Sequence, residues 1–489
     1  MTREYKVVFG LLCVAFWAIL SVACHNSGIE AAVSPTSLAA APIPTVATVD
    51  TVATVATPAL IDEPAAPAIE QVEPLTPSPT PVYSGLLSPP CGLSLDPLLP
   101  PRSAASPAGF GISDATRAEL QRMVPAAAWP ALQRLLDAPG TVGLVAFQVG
   151  REAEGVYLNA DAPMPLASVA KLITLVAYAE AVDSEEINPL EQVPLAELDL
   201  YYLPNFDLGA HRRAVSELQE RGRVASPDDN PTVSLDDVAW MMIRHSSNAA
   251  ADYLHLRLGQ ARIEETAIAL GLNESPHSHS APCTFLGQFL VMGNHLRSSA
   301  DDLAFLSRFA GGDPVESERY GREVALLADA YINRGDFREA EREWRSATRG
   351  PAIETQRYFT GQLTTQGTAG AYASLMARLA QNGLGSPNSS YQVRRILEWP
   401  NVFEANQELF SNVGYKNGSL PGVLTTAYYA YRWDDAAPVI VVLFYRDLPQ
   451  QTYRRWRVGL PHDELARWLL ADPASISILA TVMGELSPP

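Results

Sequence analysis

A serine and a lysine one helical turn apart form the most reactive pair in the sequence. Ser168 and Lys171 begin an apolar run that predicts a helix, and their i, i+3 spacing puts both side chains on one helix face. A serine hydroxyl is a weak nucleophile until a base takes its proton, and a lysine can be that base where burial or a nearby cation lowers its pKa. Free backbone N–H groups at a helix start could also stabilise an oxyanion. We therefore predict nucleophilic chemistry at Ser168, although Ser-x-x-Lys alone also fits an ordinary surface helix.

A second polar stretch, His245-Ser246-Ser247-Asn248, separates two predicted helices. Ser246 and Asn248 are two residues apart, so in a non-helical stretch their side chains can face the same cavity. The hydroxyl of Ser246 could relay a proton to a leaving nitrogen, and the amide of Asn248 could hold a substrate carbonyl. Simple helix capping by Ser and Asn explains the same residues without any chemistry.

A third motif, at residues 415–420, contains a lysine followed by Asn-Gly-Ser. Lys416 would bring a fixed positive charge to the substrate. Gly418 has no side chain, which lets a substrate lie against the strand, and the backbone N–H of Ser419 could be a second oxyanion donor. The alternative is an exposed Asn-Gly turn of a hairpin.

The order and flanks of the three motifs resemble those of the class A β-lactamase-like family, which shares its fold with penicillin-binding proteins. The resemblance covers the chain from about Ser113 to its C-terminal helix. It implies a three-layer α/β/α fold, with an antiparallel sheet, an all-helical subdomain and an acyl-enzyme at the serine. It assigns Ser168, Lys171 and Ser246 to catalysis, and Asn248, Lys416, Asn417, Gly418 and Ser419 to substrate binding.

Three departures separate this sequence from the family pattern. Ser247 stands where the family has Asp, and Asn417 replaces the Thr that helps to bind the substrate carboxylate. The Glu-x-x-Leu-Asn segment, whose glutamate positions the deacylating water, is not found, and residues 283–297 contain no acid at all. Glu343 and Glu354 are candidates for the deacylating role, but neither has the family's neighbouring residues.

Composition divides the chain into three parts. Residues 1–24 predict an export signal, because Arg3 and Lys6 precede an apolar stretch that ends at Cys24. The end of this stretch resembles a lipobox, which implies lipidation of Cys24, and an uncleaved signal anchor is the alternative. Residues 25–110 are rich in Pro, Ala and Thr, which predicts a disordered tether. The remaining part, residues 111–489, is the predicted catalytic domain.

Strand signals lie near both ends of this domain, around a helical middle. We therefore expect one antiparallel sheet assembled from both chain ends, with helices on both faces. The predicted strands are residues 141–149, a second beginning at 155, and two more at 422–433 and 438–445.

Two helical features complete the predicted domain. A charged stretch at about 312–350 predicts a helical hairpin, inserted into the domain and exposed to solvent. A last helix is predicted from about His462 to Leu470.

Charge and cysteine content argue against several classes of function. The formal net charge of −19 disfavours nucleic acid or an anionic membrane as a partner held by charge. The four cysteines contain no CxxC pair, so we predict neither a metal site nor a redox site, and no organic cofactor. Cys91 and Cys283 could pair in an oxidising compartment, a matter that only geometry decides.

Three functions fit these observations. The first is a β-lactamase that hydrolyses the amide bond of β-lactams, and the second is a D,D-peptidase-like hydrolase of peptidoglycan peptides. The third is an anchored envelope-binding protein without turnover. All three place a monomeric, exported protein in the cell envelope, with a β-lactam or peptidoglycan peptide as its partner and membrane contact only through the N-terminal segment.

Overall fold

The structure, a computed structural model, describes residues 112–272, 283–311, 313–348 and 350–484. All of these residues belong to one unit of the chain, which spans residues 79–489. The predicted export signal with Cys24, and the predicted tether with Cys91, lie outside the described residues.

An antiparallel sheet of five strands runs through the described part of the chain. The described strands are β1 (Val142–Gln148), β2 (Val156–Leu158), β3 (Met164–Pro165), β4 (Gln192–Pro194), β5 (Thr232–Ser234), β6 (Gln366–Gly367), β7 (Phe410–Leu420), β8 (Val423–Arg432) and β9 (Val439–Tyr445). The order in the sheet is β2-β1-β9-β8-β7, so β7 is an edge strand.

The first and last long strands of the sheet are neighbours. β1 pairs with β9 along its whole length, from Val142 opposite Tyr445 to Gln148 opposite Val439. All seven residues of β9 are buried, as expected for a continuous apolar strand that is covered on both faces. The prediction of one sheet built from both chain ends is confirmed.

Helices cover both faces of this sheet. The described helices are α1 (Asp114–Met123), α2 (Trp129–Asp137), α3 (Lys171–Asp183), α4 (Leu195–Leu198), α5 (Ala210–Glu220), α6 (Leu235–Arg244), α7 (Asn248–Leu258), α8 (Gln260–Ala269), α9 (Phe285–Met292), α10 (Asp302–Ser307), α11 (Pro314–Asn333), α12 (Gly335–Thr348), α13 (Ile353–Gln362), α14 (Ala369–Ala380), α15 (Pro387–Leu397), α16 (Glu404–Leu409), α17 (Gln450–Gly459), α18 (Pro461–Ala471) and α19 (Ser475–Gly484).

Two apolar cores lie on opposite faces of the sheet. On one face, α1, α2 and the terminal helices pack against β-strand residues such as Leu144 and Val441. On the other face, α3 lies at the centre of the helical region and packs with Val145 and Val442. Most residues of α3 are buried, which is typical of a helix that is apolar on every side. The helix that follows Ser168 is thus fixed by the larger core.

Two predictions about the helical elements are wrong in detail. The helical subdomain is not wholly helical, because β4 and β5 pair as a short antiparallel ribbon within it. The helix predicted at 462–470 is present as α18, but it is not the last, since α19 follows it. α18 ends at Ala471, before Asp472 and Pro473, and the apolar residues of α19 then pack into the core beneath β2.

The helical hairpin predicted at about 312–350 is present as α11 and α12, but it is not a solvent-exposed decoration. Its residues Tyr331, Phe337 and Arg345 are buried, and the two aromatic residues belong to a third apolar core that also includes α9. The sequence pattern did not predict this core, because the apolar residues of one helix face are interspersed with charged residues along the hairpin. The hairpin is therefore an integral layer against α9.

Within the described residues, no individual helix combines the length and the apolar character needed to cross a membrane. The pair α18 and α19 meets both criteria only when taken together, with a bend of 110° between the two helices.

Candidate active site

Ser168 lies on a short 3₁₀ turn, Ala167–Ala170, that continues directly into α3. The sequence predicted an α-helix at this point, and the tighter turn ends one residue before Lys171. Ala167 has φ of 48°, a left-handed conformation that costs an L-residue about 1–2 kcal/mol. The turn packs against the edge strand β7, so the half-buried Ser168 faces that strand.

Lys171 is the first residue of α3, and only 1% of its surface is exposed. Its Nζ donates to the carbonyl of Ser246 at 2.7 Å, to Oγ of the same residue at 3.3 Å, and to Oδ1 of Asn248 at 2.7 Å. Burial lowers the pKa of Lys171 to about 7, against the opposing influence of the carboxylates of Asp252 and Asp207. A substantial fraction of Lys171 is therefore neutral near pH 7 and able to accept a proton.

Lys416 reaches the same hydroxyl from β7. Its Nζ donates to Oγ of Ser246 at 3.1 Å and to the carbonyl of Asn417 at 2.7 Å. Burial, together with the charge of Lys171, holds the pKa of Lys416 well below its usual range. The hydroxyl of Ser246 thus joins two buried amino groups, and their mutual repulsion disfavours protonation of both at once.

The second motif lies in a break between two helices, as expected from the sequence. α6 ends at Arg244, α7 begins at Asn248, and Ser246 between them has φ of 63°. The capping interpretation holds for Ser247, whose Oγ accepts from the N–H of Ala250. Ser246 and Asn248 instead both contact Lys171, so the two residues face one site as their spacing predicted.

The third motif is a strand and not a hairpin turn. Asn417 pairs with Thr426 and Gly418 with Thr425, all within the ladder of β7 and β8. A Cβ on Gly418 would lie 2.4 Å from Oγ1 of Thr425 and 2.6 Å from the backbone nitrogen of Ser168. Glycine is therefore required for the close approach of β7 to the serine turn. Ser419 follows it, and its Oγ is 3.0 Å from the hydroxyl of Tyr453.

Two further residues at the site, Asp252 and Phe285, did not emerge from the sequence. Asp252 is buried, and its two carboxylate oxygens accept from the N–H groups of Phe285 and Leu286 at 2.7 Å each. Burial raises the pKa of Asp252 to about 7, although these two hydrogen bonds oppose the shift. The ring of Phe285 then lies over Nζ of Lys171, with 4.7 Å to its centroid. The available signal was the i, i+4 spacing of Asp252 from Asn248 on α7.

The two glutamates considered for deacylation lie elsewhere. Glu343 is on α12 and Glu354 is on α13, and both are exposed. Neither forms a hydrogen bond or an ion pair with a motif residue in the described part of the chain. Among the described residues there is also no group of three or more His, Cys, Asp and Glu that could hold a metal ion. Cys283 is partly buried, and its predicted partner Cys91 lies outside the described residues.

Comparison with known proteins identifies one matching family and several similar structures. The model of a family described as a beta-lactamase enzyme family matches residues 127–456. A β-lactamase from Sphaerobacter thermophilus is 17% identical over 77% of this chain and 100% of its own, with a TM-score of 0.39. The penicillin-binding protein PBP-A is 14% identical over 76% and 97%, with a TM-score of 0.40. A β-lactamase from Xanthomonas campestris is 14% identical over 76% and 97%, with a TM-score of 0.39. No curated protein matches the chain.

Proposed function

The chain belongs to the β-lactamase enzyme family, and from this premise we propose that it is an exported serine hydrolase that forms an acyl-enzyme at Ser168 and hydrolyses the amide bond of β-lactams. One observation carries the proposal. The hydroxyl of Ser246 accepts hydrogen bonds from the buried amino groups of both Lys171 and Lys416. A candidate base and a candidate proton relay are therefore in contact, and the base lies three residues after the candidate nucleophile.

The reaction follows from this arrangement. Neutral Lys171 takes the proton of Ser168, whose Oγ attacks the amide carbonyl. The backbone N–H groups of Ser168 and Ser419 stabilise the oxyanion. The proton then passes through Ser246 to the leaving nitrogen, while the amino group of Lys416, which contacts the same hydroxyl, is placed to donate to an anionic substrate. Water finally releases the acyl group from Ser168.

A second function, a D,D-peptidase-like hydrolase of peptidoglycan peptides, is favoured by the carboxylates around Lys171. Asp252 caps the start of α9 with both oxygens, and Asp207 accepts from the N–H groups of Gly209 and His211, also with both oxygens. The ring of Phe285 covers the amino group of Lys171. This environment supports slow activation of water and hence a long-lived acyl-enzyme with β-lactams.

A time course of labelling with a fluorescent penicillin, followed by intact mass, tests the two functions. A label that forms and then disappears with turnover supports the β-lactamase, and a label that persists supports the peptidase. Ser168→Ala should abolish labelling without loss of fold. Lys171→Ala should slow labelling by about 10²–10⁴-fold, the usual contribution of a general base. Absence of labelling in the unaltered protein would contradict both functions.

Anchoring in the cell envelope is a separate part of the proposal. It rests on the apolar stretch before Cys24 and on the proline-rich segment that follows. Cys24→Ser should move the protein from the membrane fraction to the soluble fraction if Cys24 carries lipid. A membrane fraction that stays the same would favour the uncleaved signal anchor.

A further inference from the structure

Ser247, at the centre of the second motif, belongs to a hydrogen-bonded chain of serine, histidine and aspartate, in which the serine and the histidine are buried and Asp199 is exposed. Its Oγ lies 3.1 Å from Nδ1 of His211, and Nε2 of this histidine lies 3.2 Å from Oδ1 of Asp199. Ser247 is fully buried, and His211 is 2% exposed. The order of groups is that of a catalytic triad, but the buried serine cannot reach a substrate. The chain must therefore act through its neighbours.

The carboxylate of Asp199 sets the donor and acceptor roles in this chain, because it can only accept. In a neutral imidazole, Nε2 of His211 therefore carries the proton, and Nδ1 accepts from the hydroxyl of Ser247. Oγ of Ser247 in turn accepts from the backbone N–H of Ala250 at 3.2 Å. These two bonds hold the rotamer of Ser247.

The helical hairpin of α11 and α12 supports the other end of this chain. Arg342 donates to the backbone carbonyl of Asp199 at 3.1 Å, and the hydroxyl of Tyr331 donates to the carbonyl of Tyr202 at 2.9 Å. The ring of Tyr202 stacks on His211, with 5.3 Å between the centroids. The insertion thus holds both the aspartate end and the histidine ring in place.

Ser246 is the residue that needs this support. Its left-handed backbone, with φ of 63°, costs about 1–3 kcal/mol and persists only where the surroundings determine it. Its carbonyl and hydroxyl both contact Lys171, so a small shift of the loop would separate the base from the relay. The bonds of Ser247 on one side, and the bond of His245 to Glu217 on the other, constrain the loop next to Ser246.

We infer that His211 is a positioning residue of the reaction, because its hydrogen bond to Ser247 holds Ser246 and Asn248 against Lys171. Ser247 stands in the place where the related family uses an aspartate. The inference rests on the proposed acylation of Ser168. It also gives the helical hairpin a role, because the hairpin supports His211 through Asp199 and Tyr202.

The test compares two buried histidines in the full-length protein. His211→Phe keeps the stacking on Tyr202 but removes the acceptor, and misplacement of reacting groups by about 1 Å costs about 10²-fold in rate. We expect the first-order acylation constant with fluorescent penicillin to fall by about that factor, with the binding constant of the penicillin unchanged. His255, 3% exposed and bonded to Gln260 at the far end of α7, is the matched control. His255→Phe should lower thermal stability but not the acylation constant.

Two further variants separate positioning from a general loss of packing. His211→Asn places an amide oxygen near the position of Nδ1 and should restore most of the acylation rate. Ser247→Ala combined with His211→Phe should be no slower than the slower single variant, because both changes break one chain. The inference would be overturned if His211→Phe were acylated at the rate of the unaltered protein. It would also be overturned if the effects of the two substitutions on the acylation rate were fully additive in the double variant.

Deuterium exchange gives a result that does not depend on penicillin. The peptide covering residues 244–251 should exchange faster in His211→Phe than in the unaltered protein or in His255→Phe. If penicillin labels no variant but exchange rises as expected, the proposed function fails and the positioning role stands. If exchange in this peptide is unchanged, the positioning role fails whatever the labelling.

Discussion

The amino group of Lys171 is contacted by neutral oxygens and an aromatic ring, and the carboxylates of Asp252 and Asp207 oppose the effect of burial on its pKa only in part. Its closest contacts are the carbonyl of Ser246, the side-chain oxygen of Asn248 and the ring of Phe285. None of these groups stabilises a positive charge as well as water does, and burial is the main cause of the lowered pKa. At the scale of single residues, the site therefore contains a lysine suited to accept a proton.

The pH dependence of acylation should report this lysine. Lys171 must be neutral to act as a base, and its pKa is about 7. The acylation rate should therefore rise with pH up to about 7, level off above it, and fall about tenfold per unit below it. The midpoint belongs to the pair of Lys171 and Lys416, because both contact one hydroxyl. Labelling rates measured from pH 5 to 9 would check this, and a flat profile would contradict the role of base.

The fate of the acyl-enzyme should depend on Phe285. Phe285→Glu introduces a carboxylate where the ring now lies over Lys171, so a water molecule there gains a base. We expect release of the penicilloyl group to be faster than in the unaltered protein, as measured by loss of the label in intact mass. Phe285→Gln, similar in size but without charge, is the control and should leave release slow. Equal release in both variants would mean that the carboxylate has no access to the ester.

At the scale of elements, the edge strand β7 must lie directly against the serine turn. Gly418→Ala would put a Cβ within 2.6 Å of the backbone nitrogen of Ser168, so the strand and the turn must separate. Acylation should fall by about 10²-fold or more, as measured by penicillin labelling. Gly361→Ala on α13 is the control, because nothing lies within 4 Å of its Cβ. Normal labelling of Gly418→Ala would show that the close approach is dispensable.

The three motifs could be found from the sequence because each signal is local. Spacing within one turn or one strand placed Ser168 near Lys171 and identified the stretch around Lys416. Phe285 and His211 could not be found in this way, because they reach the site only through contacts between separate elements. Phe285 contacts Lys171 only because Asp252 on another helix holds its backbone.

At the scale of the whole molecule, a buried ion pair within α12 also bonds to residues outside the hairpin, including His295 and the carbonyl of Gly293. Glu341 and Arg345 form a salt bridge at 2.5 Å, with 0% and 2% of their side chains exposed. His295 also bonds to this carboxylate at 2.9 Å. The charged groups of Glu341 and Arg345 therefore lie beside the third apolar core without contact to solvent. The charged sequence of α12 predicts a solvent-exposed helix, so a prediction from the sequence pattern misses their burial.

Removing the carboxylate should destabilise the protein strongly. Glu341→Gln leaves Arg345 charged and buried without its partner, a change that typically costs about 3–5 kcal/mol. The free energy of unfolding in urea would measure the loss. Glu343→Gln changes an exposed residue of the same helix and should stay within about 0.5 kcal/mol of the unaltered protein. An equally small effect of Glu341→Gln would mean that the bonds of Arg345 to the carbonyls of Phe289 and Gly293 are enough to hold its charge.

Four of the five strands of the sheet were predictable because they are largely apolar runs near the two ends of the domain, whereas the mixed sequence of the edge strand β7 was not among the predicted strands. The same pairing of β1 with β9 also determines when activity can first appear. Contacts between residues far apart in the chain slow folding, because a long loop must close before they form. Ser168 follows β1 while Lys416 precedes β9, so the nucleophile and the second lysine meet only when that loop closes. A newly made chain therefore stays inert towards its substrate until almost its last strand has been made, and penicillin labelling during refolding would time the closure of the sheet.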